Sequence, residues 1–305
     1  MEACYRERET FFGDPTLATQ SNPESILKSS LLAIFSALGA ISVAIWWGPL
    51  ASVFALAWRD EHYTHILLIL PMSAALIYMD WKPPAGSSRF SSNAGSAVLF
   101  LALLARVGLA STELSDDVRL SLNMLAFVTW LVGAFILCFG SAAFRRALFP
   151  LCFLLWMVPF PQFVLDPLVS LLRQGSTASA HLFFAAFGVP VEQTGTLLQI
   201  PGLTLEVAPE CSSIRSSMLL LVTTMFVAQW LLVSFWRKAV VMAAAIPLSV
   251  LKNGFRIFSL GMLGTKVDPG FLTGRLHHHG GILFFLIAWA GIFLLLWIKR
   301  ICTRL

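Results

Sequence analysis

The chain has 305 residues, of which 57% are hydrophobic and only 12% charged, with a mean hydropathy of +0.79. That charge deficit excludes a water-soluble globule, a disordered chain and an ordinary nucleic-acid binder, and it fits a polytopic membrane protein. The net charge of +5 carries no sign of a nucleic-acid partner, because the Lys and Arg gathered in the cytoplasmic loops of a membrane protein produce the same excess.

Residues 1–30 are polar (RERETFFGDP, then TQSNPES) and lack the layout of a signal peptide. They read as a short cytoplasmic tail. A spanning helix needs roughly 20 mostly apolar residues. About eight runs meet that need, near 31–57, 65–80, 94–111, 121–140, 146–163, 214–235, 239–263 and 279–298. Trp46-Trp47-Gly48-Pro49 is expected to break the long first run. The fifth is short and carries Pro150, Pro159 and Pro161. The fold class is therefore all-α and polytopic. A single domain covers 31–298, and residues 299–305 form a basic tail.

Basic residues set the orientation. With the N-terminus inside, every inside segment holds at least two: Arg6, Arg8 and Lys28; Lys82 and Arg89; Arg145 and Arg146; Arg237 and Lys238; Lys299, Arg300 and Arg304. Arg106 falls within a span. The outer basic residues, Lys252 and Arg256 among them, are scattered singly. Both termini are thus expected inside a plasma (inner) membrane.

Residues 164–213 are the longest stretch that fits no simple span. Their first part has Leu and Phe at helical spacing and reads as an interfacial amphipathic or re-entrant helix. The second part, VPVEQTGTLLQIPGLTLEVAPECSS, reads as one or two short strands with a Pro201-Gly202 turn. The segment is expected to lie on the outer face.

The five cysteines form no disulfide framework and no zinc-like spacing. Cys4 and Cys302 are cytoplasmic in this topology, and Cys138 and Cys152 sit within spans as small packing residues. Cys211 alone falls on the outer side, with no partner there. It is either an inert buried thiol or one with a task. Its setting, Ala208-Pro209-Glu210-Cys211-Ser212-Ser213-Ile214-Arg215, places it where a loop meets the start of the sixth span. A helix N-terminus stabilises an anion and so lowers a thiol pKa. Ser212 and Ser213 can cap the helix. Arg215 shares the Cys211 face by i, i+4 spacing, and Glu210 either holds Arg215 or caps.

Asn253 and Arg256 lie i, i+3 apart toward the outer half of the seventh span. A guanidinium in an apolar run is costly and points to function, unless it snorkels to the interface. Arg donors can support a developing oxyanion. Arg275-Leu276-His277-His278-His279 opens the eighth run, and histidine is the usual general acid or base near neutrality. Three histidines also suggest a metal, but only Asp268 and Cys211 stand near enough to complete a set, so one catalytic histidine with two bystanders is preferred. The first outer loop, Trp58-Arg59-Asp60-Glu61-His62-Tyr63-Thr64-His65, is either an ordinary solvated loop or a substrate or supporting site, with Tyr63 and His65 its candidates. A thiol, a guanidinium and an imidazole on one side suit nucleophilic acyl chemistry.

At these residues the sequence resembles the exosortase/archaeosortase family of integral-membrane cysteine transpeptidases. Trp58 through His65 is similar to the family's early Tyr-Ser-His loop, with Thr64 for Ser. VAPECSSIRS resembles its cysteine motif, with Ser213 where Gly is frequent. Asn253-Gly254-Phe255-Arg256 resembles its Asn-x-x-Arg motif, and His277 through Phe285 its His-x-x-x-Gly-x-x-x-Phe segment. The resemblance implies Cys211 as nucleophile, Arg256 as the essential arginine and His277 as the third member, with His278 the alternative. It implies no cofactor. The implied partners are membrane lipid, exported proteins bearing a C-terminal motif, apolar helix and basic tail, and a surface acceptor. Members often accompany exopolysaccharide genes. Two rival readings remain at this level: a transporter or scaffold protein in polysaccharide export, and a thiol-dependent membrane acyltransferase.

Overall fold

The structure is a computed structural model that describes residues 23–80, 92–207, 214–268, 270, 284–286 and 288–293. Helices α1 (Pro23–Ile45) and α2 (Trp47–Arg59) meet at Trp46 with a bend of 78°. The break falls at the expected place, because Pro49 in the first turn of α2 has no N–H to continue the ladder. Trp46 is fully buried and packs against Phe127 and Trp130, so the bend drives an indole into the core. Helix α1 begins earlier than the apolar run that predicts it.

A 3-10 turn (Glu61–Tyr63) leads into α3 (Ile66–Asp80). Then come α4 (Ser92–Ala110) and α5 (Asp116–Arg146). Asp116 and Asp117 open α5 and Arg145 and Arg146 close it, each sign favoured by the helix dipole at its end. Gly140 interrupts α5 with φ 81° and ψ 168°, a conformation that favours glycine. The short α6 (Leu148–Phe153) and a 3-10 turn (Leu154–Met157) follow, and α7 (Gln162–Ala186) departs from them at 94°. Prolines 159 and 161 prevent a straight continuation.

Five helical stretches among the described residues are long and apolar enough to cross a membrane: Glu61–Met79, Asn93–Ala110, Asp116–Arg146, Ile214–Leu231 and Phe235–Lys266. The number is seven if each bent pair counts as one span. The protein is an all-α multi-pass membrane protein. The eighth expected run, 279–298, lies largely outside the described residues, which include a shorter apolar helix there, Phe284–Phe293.

Helix α7 is no isolated surface helix. Gly175 meets Val250, Gly254 meets Ser179 and Ala180, and Gly261 meets Phe184. The numbers rise together, so α7 runs parallel to α9 (Phe235–Lys266) along much of its length. Helix α8 (Ile214–Leu231) runs antiparallel to α9, since Ser216 pairs with Lys252 and Gln229 with Lys238. Between α7 and α8 lies an antiparallel meander of β1 (Glu192–Thr194), β2 (Leu197–Ile200) and β3 (Leu203–Glu206). Pro201-Gly202 forms the β2–β3 turn, with Gly202 at φ 81°. Leu198 and Ile200 of β2 pack with Ala180, Phe184 and Phe258 in a cluster of their own, so the sheet rests on α7 and α9.

Of the cysteines expected to pack within spans, Cys138 is buried in α5 and Cys152 is exposed. Helix α6 turns Pro150, Leu151 and Phe153 inward, which leaves Cys152 facing out.

Candidate functional site

Three chain segments are tied together at one end of the bundle by carbonyls that proline leaves outside any helix. Tyr63 donates its hydroxyl to the Phe160 carbonyl at 2.9 Å, and Ser121 donates to the Pro159 carbonyl at 2.8 Å. The Gln162 amide donates to Asp117 Oδ2 at 2.9 Å. Ser73 also donates to the Pro150 carbonyl, within α6, at 2.8 Å. Within a bilayer an unpaired carbonyl costs several kcal/mol, so the hydroxyls of Tyr63, Ser121 and Ser73 stand in for the missing helical donors.

The loop between α2 and α3 is itself well formed. Asp60 accepts from the His62 amide at 2.9 Å and lies 2.5 Å from His62 Nδ1. Tyr63 is buried, and His65 is 2% exposed with its ring edge-on to Trp156. The His65 ring lies beside the main chain of His62 and Trp156, and its Nδ1 makes no hydrogen bond of ordinary geometry. Both sequence candidates in this loop are therefore packed inside rather than presented to solvent. Glu61 is the residue that reaches out: its Oε1 meets Arg215 Nη1 at 2.9 Å. That ion pair joins the loop to the first turn of α8. Exposed ion pairs of this kind contribute little stability, so its effect is chiefly one of placement.

Helix α9 brings a second set of polar groups to the same turn. Ser249, Lys252, Asn253 and Arg256 follow the spacing i, i+3, i+4, i+7 and so share one helix face. Lys252 Nζ donates to Ser216 Oγ at 2.6 Å, and the hydroxyls of Ser217 and Ser249 pair one turn away. Asn253 is buried and Arg256 half-buried. The antiparallel register that sets Ser217 beside Ser249 and Ser216 beside Lys252 continues to put Ile214, the first residue of α8, level with Asn253, so Arg256 lies about one turn beyond that end of α8. Gly254, within the same motif, lets α7 approach closely enough that a Cβ there would overlap Ser179.

Of the residues singled out from sequence, Tyr63, His65, Arg215, Asn253 and Arg256 are thus placed. Glu210, Cys211, Ser212, His277 and His278 lie outside the described residues. Sequence reasoning paired Arg215 with Glu210 as one option, whereas Glu61 is the carboxylate that meets it among the described residues. It also passed over Lys252, although the cost of a charge in an apolar run, used there to select Arg256, applies equally four residues earlier. No local signal in the sequence distinguishes Glu61 from its neighbours.

The stretch that contains all these elements, residues 57–294, matches the family described as transmembrane exosortase. The chain belongs to the transmembrane exosortase family. The match takes in the loop after α2, the meander, α8 and α9, and the exosortase motifs noted above all fall inside it. No curated protein and no solved structure matches the chain.

Proposed function

We propose that this exosortase-family protein is a membrane-embedded cysteine protease and transpeptidase. It cleaves the C-terminal tripartite sorting signal of exported proteins and passes them to a surface acceptor. In this reading the chain crosses the membrane about eight times with both termini cytoplasmic, and the site opens on the outer face. Cys211 attacks the scissile carbonyl. Arg256 supports the tetrahedral oxyanion, and His277, or its neighbour His278, protonates the leaving amine. An amine acceptor then resolves the thioester.

The family match over residues 57–294 carries this reading, because that span includes Cys211, Arg256 and His277 together. The level of Arg256, about one turn beyond the start of α8 and one turn beyond Lys252, is compatible with it. A substrate helix lying in the bilayer would leave its flanking motif at the membrane surface, where the cysteine segment is proposed to open.

The test is co-expression with a tagged protein that bears such a signal from the same genome. Wild type is expected to release the tag. Cys211→Ala and Arg256→Ala are each expected to abolish release while inserting normally. A tag that is released normally by either variant refutes the mechanism. A tag retained even by wild type, with the native substrate present and inserted, turns the assignment toward transport or scaffolding.

A further inference from the structure

Lys252 is a charged group that the proposed reaction does not use. It lies in α9, within an apolar stretch fit to cross a membrane, and is 8% exposed. Its ammonium donates to Ser216 at 2.6 Å, and no carboxylate among the described residues pairs with it. A methionine of similar length would fill this place without the cost of burying an ammonium. The charge is therefore better explained by a role than by packing.

What it holds is informative. Ser216 closes the stretch VAPECSSIRS and stands five residues after Cys211. Five residues of extended chain reach no farther than roughly 17 Å. On the other side of the bond, Lys252 precedes Asn253 directly and Arg256 by one helical turn. The neighbouring cation on α8, Arg215, is engaged with Glu61.

We infer that Lys252 is a positioning residue of the cysteine site: its ammonium fixes the first turn of α8 against the α9 face bearing Asn253 and Arg256, and its charge favours the thiolate of Cys211. The inference rests on the reading of Cys211 as nucleophile. With the side chains and the 2.6 Å bond added, the Lys252 ammonium and the Cys211 sulfur are separated by no more than roughly 25 Å, where a unit charge at an effective dielectric near 20 shifts an ionisation about threefold. That is the least size expected of the electrostatic part.

The experiment uses the full chain in membranes, with Lys252→Met, Lys252→Arg and Ser216→Ala. Iodoacetamide labelling of Cys211 at neutral pH is followed by mass spectrometry of its peptide, beside the tag-release assay. Lys252→Met is expected to slow labelling per inserted molecule about threefold or more and to slow processing with it. Lys252→Arg restores most of both. Ser216→Ala slows processing with a smaller change in labelling. If Lys252→Met labels and processes like wild type, the inference is overturned. It is equally overturned if both Lys252 variants merely lower the amount of inserted protein, with labelling per molecule unchanged. Where Lys252→Met does not accumulate, wild-type processing by Ser216→Ala is the overturning result. Normal processing by Cys211→Ala would instead remove the nucleophile assignment and leave the labelling comparison to judge the effect of Lys252 alone.

Discussion

Gly254→Ala is the substitution whose consequence follows most directly from packing. The α7–α9 contact is closest there: a Cβ on residue 254 would come 2.5 Å from Ser179 Cβ and 2.8 Å from the Ala180 amide nitrogen. Ordinary carbon contacts begin near about 3.5 Å, so the helices must part by about 1 Å. The Ala180 contact is backbone and cannot be relieved by a rotamer change. Overpacking of this kind costs about 1–3 kcal/mol. The better helix propensity of alanine returns about 1 kcal/mol. With a backbone atom in the way, the upper part of that range applies, and a net loss of about 1–2 kcal/mol is expected. Membrane helices associate mainly through such close packing, so little else compensates. The loss is read as a lower thermal midpoint of the purified protein in detergent. A second variant sharpens the argument. Ser179→Gly removes the side chain that the new methyl meets, so Gly254→Ala is expected to cost less in that background. Stability of Gly254→Ala at or above wild type, or an equal cost with and without Ser179, would refute the packing argument.

Two other outcomes are expected. Tyr63→Phe strands the Phe160 carbonyl and should cost about 1–2 kcal/mol, seen as faster proteolysis at the loop between α2 and α3 with membrane insertion unchanged. Gly140→Ala forces a side chain onto a residue at φ 81°, at a cost of about 1–3 kcal/mol, which a detergent melting curve would register and Ser141→Ala would not.

The sequence by itself determined the class of this protein and most of its helices. An apolar excess needs no partner to be legible, because a bilayer demands roughly 20 such residues per crossing and an internally bonded backbone. The break at Trp46 to Pro49 was legible for a similar local reason, as proline removes a donor wherever it stands. The Pro201-Gly202 turn and the family resemblance were local too, since each rests on a short run of adjacent residues. Arg256 stood out as a candidate because a charge within an apolar run is costly regardless of its surroundings.

The tertiary structure decided what such local rules cannot address. Helical periodicity made 164–188 amphipathic, but only packing showed α7 lying along α9 through Gly175, Gly254 and Gly261, since a buried face reads the same whether it meets lipid or a neighbouring helix. Glu61 meets Arg215 across 154 positions of chain, 215 minus 61, a pairing that no spacing rule reaches. From sequence, the loop holding Tyr63 and His65 read equally as a solvated loop or as a substrate or supporting site, because it is rich in charges beside a membrane. Both residues turned inward because the carbonyls left open by Pro159 and Pro161 require donors and the loop's aromatic rings fill the core beside them. Lys252 and Ser216 became one unit only when α8 and α9 paired antiparallel. Sequence fixes which groups are costly to bury, and the fold chooses the partner that offsets the cost.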